Sequence, residues 1–263
     1  MTAQALPIKS TRDLWPLSEV YTEEDDEDGN PKFLFSTFGF ITEDHVAYFG
    51  ESKLRKFQLT QKDIIEALKL LPDEDVYPVA PPNITVFSTP LNSSVFMKGP
   101  GLNTVFTGTG VLPKLILQEV EIMELLTRNP HPHIVRYHGC LIRRSRIVGL
   151  VFDRYPDTLW HRLEKGAQGF NIEDCMSKIT SAVHHLHSLG LAHNDLMPSN
   201  IMVDGDDIPV VIDYGSCQPF GNLLISTGTP GWVDEYFTHS AQKNDEIALG
   251  KIRIWLESKR GQD

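Results

Sequence analysis

His193-Asn194-Asp195-Leu196, then Asn200, then Asp213-Tyr214-Gly215 is the stretch on which the reading of this chain turns. It sets two carboxylates and a carboxamide on two turns beside short apolar runs. Ile201-Met202-Val203 follows the first turn, and Val210-Val211-Ile212 leads into the second. Phosphoryl transfer from a magnesium nucleotide needs such a set: one carboxylate to orient the attacking hydroxyl, and an amide oxygen with a second carboxylate for the metal. The same residues would also suit two surface turns of an α/β domain, with Asp195 and Asn200 bonding to their own backbone. The segments on either side separate the two readings.

Upstream lies Asn129-Pro130-His131-Pro132-His133-Ile134-Val135-Arg136-Tyr137-His138-Gly139, followed by Gly149-Leu150-Val151-Phe152-Asp153-Arg154-Tyr155. Downstream come Gly228-Thr229-Pro230-Gly231-Trp232 and Asp245-Glu246-Ile247-Ala248-Leu249-Gly250. In this order the blocks resemble the segment leaving helix αC, the fifth strand and hinge, the end of the activation segment and the start of helix αF of protein kinases. The central stretch resembles the family pattern H-R-D-L-x-x-x-N…D-F-G, with Asn194 and Tyr214 replacing its Arg and Phe. Across residues 84–258 the chain is thus identified as a divergent eukaryotic-type protein kinase, of the kinase-like type common in fungal genomes.

The resemblance implies an α+β, bilobal fold: a small β-rich N-lobe over 81–152 and a shortened helical C-lobe over 153–263. Before it, 1–32 is expected to be a disordered acidic segment, and 33–80 a small α+β accessory region with a linker. The shortened C-lobe is expected because only residues 257–263 follow Leu256. ATP and Mg2+ are the implied cofactors, and a protein hydroxyl, serine or threonine by default, the acceptor.

Composition narrows the alternatives. The 263 residues are 41% hydrophobic, enough for a globular core, and carry a net charge of −11. That charge argues against a general binder of nucleic acid or anionic membrane, which counterion release and surface attraction would not favour. Part of it sits in Glu23-Glu24-Asp25-Asp26-Glu27-Asp28, a block that repels itself and reads as solvated, or as a dock for a basic partner. The odd count of three cysteines, Cys140, Cys175 and Cys217, fits neither a disulfide framework nor a zinc site and suits a reducing compartment. The N-terminus lacks an apolar signal region and no run approaches membrane-spanning length, so an intracellular protein is expected, in cytoplasm or nucleus.

Along the chain, Phe33–Phe38 and His45–Phe49 read as a hairpin. Thr60 and Asp63 read as the capping residues of a helix with Ile64, Ile65, Leu68 and Leu71 on one face, ended by Pro72. After the linker prolines, Ile84–Phe87 and Val95–Lys98 read as strands. The second resembles the strand whose lysine binds the nucleotide phosphates and pairs with a glutamate of αC, which implies Lys98 and Glu119. Between them, Ser88–Ser94 has no glycine, although a phosphate-covering loop uses glycine to bring backbone N–H groups close. Pro113 opens the next helix, whose Glu121 and Glu124 are expected to face solvent.

By the same resemblance, Phe152 is the gatekeeper behind the adenine, Asp153 and Tyr155 offer hinge backbone groups, and Met202 lies beneath the base. Asp195 orients the substrate hydroxyl, while Asn200 and Asp213 bind magnesium. Asn171–Leu189 reads as an amphipathic helix stopped by Gly190; its His184, His185 and His187 fall on different faces, which disfavours a zinc site. Glu235 matches the glutamate of the A-P-E segment. Asn194 removes the arginine that pairs with a phosphorylated activation loop, so Ser226, Thr227 and Thr229 are expected to be replaceable together by alanine. Met197 removes a lysine that contacts the transferred phosphate, at a cost in rate. Two other functions remain open: a pseudokinase scaffold and a small-molecule phosphotransferase of the aminoglycoside-kinase type.

Overall fold

A computed structural model describes residues 6–25, 31–166, 168–226, 228–233 and 237–260. The chain divides into two compact units. One comprises Met1–Pro81, Gly99–Ile116 and Ile142–Gly149; the other comprises Pro82–Lys98, Leu117–Leu141 and Leu150–Asp263.

In the first unit a four-stranded antiparallel sheet runs in the order β1 (Leu17–Asp25), β2 (Pro31–Ile41), β3 (Ala47–Ser52), β4 (Lys69–Leu70). Helix α1 (Gln61–Ala67) precedes β4, and a short α2 (Asp73–Val76) follows it. The hairpin expected from Phe33 to Phe49 is present as β2–β3, with Phe38 opposite Gly50 and Phe40 opposite Tyr48. Two expectations are corrected here. Residues 6–25 are not a disordered segment: Ser10 and Asp13 cap a 3-10 turn reciprocally, and β1 pairs along β2 with Leu17 opposite Phe38 and Glu19 opposite Ser36. Ile8 and Leu14, 1% and 5% exposed, pack with Phe38, Phe40, Leu59 and Ile64. Burial of such side chains stabilises by about 1.5–3 kcal/mol each, which outweighs the local acidity. Asp26, Glu27 and Asp28 of the acidic run lie outside the described residues.

The second correction concerns α1. Its N-terminus is capped as read, Thr60 accepting from the Asp63 N–H while Asp63 accepts from the Thr60 N–H. It stops at Ala67, however, because Leu68 turns extended and Lys69–Leu70 joins β3. Only Ile64 of the predicted face is fully buried.

The chain continues through β5 (Val95–Lys98), α3 (Val111–Arg128), β6 (Tyr137–Arg143) and β7 (Arg146–Asp153), with sheet order β5-β7-β6. Thr85–Phe87 does not form the expected strand beside β5. Its backbone instead brackets Cys140 on β6, Cys140 N–H donating to Thr85 O at 2.8 Å and Phe87 N–H to Cys140 O at 2.9 Å. Gly139 makes room, since a Cβ there would lie 2.8 Å from Thr85 O. Glu124, expected in solvent, holds this segment by accepting from the Thr85 N–H at 2.7 Å.

Then follow β8 (Asp157–Thr158), α4 (Leu159–Glu164), α5 (Ile172–Ser188), β9 (Leu191–Ala192), β10 (Ile201–Val203), β11 (Pro209–Val211), β12 (Gln218–Pro219) and α6 (Gln242–Lys259). Helix α5 opens on Asn171, whose side chain caps Asp174 N–H, and buries Ile172, Met176, Ile179, Val183 and Leu186 at helical spacing. Helix α6 packs on α5 and buries Asn244, Asp245, Ala248, Ile252 and Leu256. These helices form the floor under the turns that carry the polar residues.

Candidate active site

Strand β5 delivers Lys98 with its register set by β7: Phe96 faces Phe152, Met97 faces Val151 and Lys98 faces Leu150. Helix α3 delivers Glu119, which is 6% exposed. Lys98 Nζ donates to both Glu119 oxygens at 2.7 Å and to Asp213 Oδ1 at 2.8 Å. Burial would lower the Lys98 pKa, but the two carboxylates together outweigh it and raise it. Burial lifts Glu119 above its ordinary value against the opposing ammonium. For Asp213 the balance falls the other way. Burial pulls it up, yet the Lys98 charge and hydrogen bond, with help from His193 and the Gly215 N–H, hold it below the usual carboxylate range. Gln118 adds a tie, Nε2 donating to Gly215 O at 3.3 Å.

The turn after β9 is hung from α6. Asp245, fully buried, accepts from the His193 N–H at 2.9 Å, the Asn194 N–H at 2.8 Å and His187 Nε2 at 2.9 Å. Asn194 sits at φ 63°, a region asparagine tolerates better than most residues. Its Nδ2 reaches the carbonyls of Ala192 and Ser216 and the Ser240 hydroxyl, and its Oδ1 accepts from Asn244. Asn194 is thus a buried junction between the turn, the strand that follows Asp213 and the start of α6. His193 bridges the two turns: Nε2–H donates to Ile212 O at 2.9 Å and Nδ1 accepts from the Asp195 N–H at 3.3 Å. Those partners assign the Nε2–H tautomer and a holding role.

Asn200 is tied back to Asp195, its Nδ2 donating to the Asp195 carbonyl at 2.8 Å and to Oδ2 at 3.1 Å. Ile212 N–H donates to Asn200 O, which draws the second turn against the first and sets Asp213 next to Asn200 in space. Asp213 takes the left-handed conformation, φ 63° and ψ 76°. With the Asn200 nitrogen and Asp213 Oδ1 taken, Asn200 Oδ1 and Asp213 Oδ2 remain as hard oxygen donors. That pair fits Mg2+, which takes one or two protein oxygens and completes its shell from phosphates and water. Among the described residues no group of three or more His, Cys, Asp or Glu side chains could hold a metal by itself.

Asp195 has a partner that the sequence reading overlooked. Its Oδ1 accepts from both the N–H and the hydroxyl of Thr229 at 2.8 Å. The expectation that Thr229 is as replaceable as Ser226 and Thr227 is therefore corrected: it touches the carboxylate directly, while Thr227 and Glu235 lie outside the described residues. The segment is pressed close here. A Cβ on Gly228 would lie 2.8 Å from Asn194 O and against Val233. Beyond it, Lys251 of α6 donates to Val233 O at 2.7 Å. Trp232 stands edge-on to Trp160 and Trp255, which stack on each other at 5.3 Å.

At the other end, Phe152 is buried and packs on Tyr137 at 5.8 Å between ring centres. The Asp153 N–H is taken by Arg136 O at 3.1 Å, so of its backbone groups only the carbonyl could face a base. Its carboxylate pairs with His138 at 2.6 Å. Met202, half-buried, lies mid-strand in β10 between Thr158 and Val210. The Thr229 and Asp245 roles were missed although both residues stood in quoted blocks; a lone aspartate in an otherwise apolar helix face was the signal for the latter.

The family description "Protein kinase domain" matches residues 107–243. A leaf rust 10 disease-resistance locus receptor-like protein kinase-like 1.1 of Arabidopsis thaliana is 32% identical over 154 residues, 52% of this chain and 24% of that protein. CBL-interacting protein kinase 4 of rice (Oryza sativa subsp. japonica) is 29% identical, covering 48% of this chain and 29% of its own length. The human serine/threonine-protein kinase/endoribonuclease IRE2 is 29% identical, covering 49% and 16%. The chain thus spans under a third of the length of each of these relatives.

Proposed function

The chain belongs to the protein kinase family, and from that premise we propose that it transfers the γ-phosphate of Mg-ATP to a serine or threonine hydroxyl of a protein. The observation that carries the reading is the three-way contact of Lys98 with Glu119 and Asp213, beside Asp195 and Asn200 on adjoining turns. Lys98, kept cationic by its carboxylates, would meet the α- and β-phosphates. Asn200 Oδ1 and Asp213 would hold the metal, which when bound offsets the charge that develops on the transferred phosphoryl. Phe152, the Asp153 carbonyl, Tyr155 and Met202 would enclose the base.

Asp195 orients the attacking hydroxyl and accepts its proton. Thr229 fixes that carboxylate through Oδ1, which leaves Oδ2 as the oxygen shared with Asn200 and the substrate. The family match favours a protein acceptor over the small-molecule alternative. An intracellular setting is part of the proposal, supported by three free, buried thiols. No helix among the described residues is long and apolar enough to cross a membrane.

A second reading, nucleotide binding without transfer, draws support from Met197 and from the course of Thr85–Phe87, which lies along β6 and not beside β5. One experiment divides them: calorimetric binding of Mg-ATP and transfer of labelled γ-phosphate to a protein mixture, for the wild type and Asp213→Ala. Transfer that Asp213→Ala abolishes supports the kinase reading. Binding without transfer establishes the second reading, and absence of both refutes the two together.

A further inference from the structure

We propose that Gln118 is a positioning residue through which helix α3 holds the Asp213 turn by uncharged hydrogen bonds, so that the turn keeps its place with no phosphate on the activation segment. This deepens the kinase reading of the site and rests on it. The observation behind it is a run of four consecutive carbonyls just after Tyr214. Gln118 Nε2 donates to Gly215 O at 3.3 Å and to Cys217 O at 3.5 Å. Asn194 Nδ2 donates to Ser216 O at 3.0 Å, and Ser240 Oγ to Gln218 O at 2.9 Å. Carbonyls 215 and 217 thus go to α3, while 216 and 218 go to the catalytic turn and to a residue just before α6. One carboxamide serves two of the four because its NH2 has two N–H bonds, and none of the three donors carries a charge.

The segment needs such a clamp. Asp213 holds φ 63° and ψ 76°, a conformation that a residue with a side chain keeps only when its surroundings impose it. The N–H groups beside it are tied as well. Tyr214 N–H donates to the Glu119 carboxylate, and Cys217 N–H closes on Tyr214 O at 3.0 Å. Two neighbouring residues of α3 therefore reach one short segment, Gln118 as donor to its carbonyls and Glu119 as acceptor from its N–H. Tyr214 and Cys217 are fully buried, so a backbone group that loses its partner there finds no water to replace it. A phosphate orders a segment by pairing its charge with arginine or lysine. Here two amides and a hydroxyl hold the segment, and salt weakens such bonds far less than it weakens an exposed ion pair.

The test uses the full chain without nucleotide or metal, as wild type, Gln118→Met and Gln118→Glu. Amide hydrogen exchange over 214–218 is read against that of α5. Gln118→Met keeps the size and removes the donor, so exchange about ten-fold faster is expected in that segment, with α5 as in wild type. Gln118→Glu sets a carboxylate against two carbonyls. Its exchange should be faster still at about pH 8 and partly recover at about pH 5, where a protonated carboxyl donates again. Phosphatase treatment, or salt raised to about 1 M, should leave wild-type exchange over 214–218 unchanged. Calorimetry then compares ATP binding with Mg2+ and in EDTA. Gln118→Met should bind roughly ten-fold more weakly with Mg2+ and as wild type in EDTA, since the lesion lies at Asp213.

Wild-type exchange in both variants would overturn the proposal, as would a loss of wild-type protection on phosphatase treatment. So would faster exchange spread through α5, which marks general unfolding, or an equal change in affinity with and without Mg2+. Gln118→Asn, which keeps the amide but falls short, stands in should Gln118→Met fail to fold. If the wild type itself neither binds Mg-ATP nor transfers phosphate, the kinase reading fails, and the exchange result alone decides whether Gln118 holds the turn.

Discussion

At the scale of single residues, the site depends on side chains whose polar atoms are nearly all engaged. Replacing Thr229 by alanine removes the hydroxyl that holds Asp195 Oδ1 but keeps the backbone N–H contact. A fall in kcat of about ten-fold is expected, with recovery in Thr229→Ser and little change in melting temperature. Asn194→Ala is a different lesion. It takes the amide from the carbonyls of Ala192 and Ser216 in the interior, while Ser240 keeps Gln218 O and Asn244 keeps His239 O, and it should cost about 3 kcal/mol in urea unfolding. Lys98 carries a pH signature. Its folded pKa is raised, so its stabilising charge is full below the ordinary lysine value of 10.5 and is lost as pH rises beyond it. The stability gap between wild type and Lys98→Met should therefore stay level from neutral to mildly alkaline pH and narrow above that value.

Among the elements, those read well from sequence had their determinants close together in the chain. The capping residues of α1, the helical stripe and glycine stop of α5, and the strand–turn–strand units around Asn200 and Asp213 are local patterns. The ones read poorly are decided by distant partners. Strand β1 looks like an acidic tail until Phe38 lies opposite Leu17. Thr85–Phe87 looks like a partner for β5, but Gly139 and Glu124 hold it on β6. Asp245 looks like one charge in a helix until three hydrogen bonds converge on it. The activation segment offers a test at this scale. Gly228→Ala would place a methyl group 2.8 Å from Asn194 O, pushing Thr229 off Asp195. Activity should fall by about ten-fold or more, and the melting temperature should drop by a few degrees, because Gly228 is buried and overpacking such a site costs about 1–3 kcal/mol.

For the molecule as a whole, the candidate residues were legible because the chemistry of phosphoryl transfer dictates residue types at short spacings, whereas the first eighty residues match no such rule. Their contribution is packing. Deleting residues 1–25 removes Ile8 and Leu14 from the core and leaves β2 as an unpaired edge, so a loss of several kcal/mol and poor soluble yield are expected. How such a loss is monitored matters, because the four tryptophans are unevenly placed. Trp15 is 81% exposed, whereas Trp160, Trp232 and Trp255 touch one another. Emission from Trp15 already resembles that of indole in water, while the clustered rings exchange excitation and are shielded by each other. A fluorescence melt will therefore record the catalytic half coming apart and stay almost silent while the N-terminal sheet dissolves, a step visible only to circular dichroism or to a reporter dye placed there.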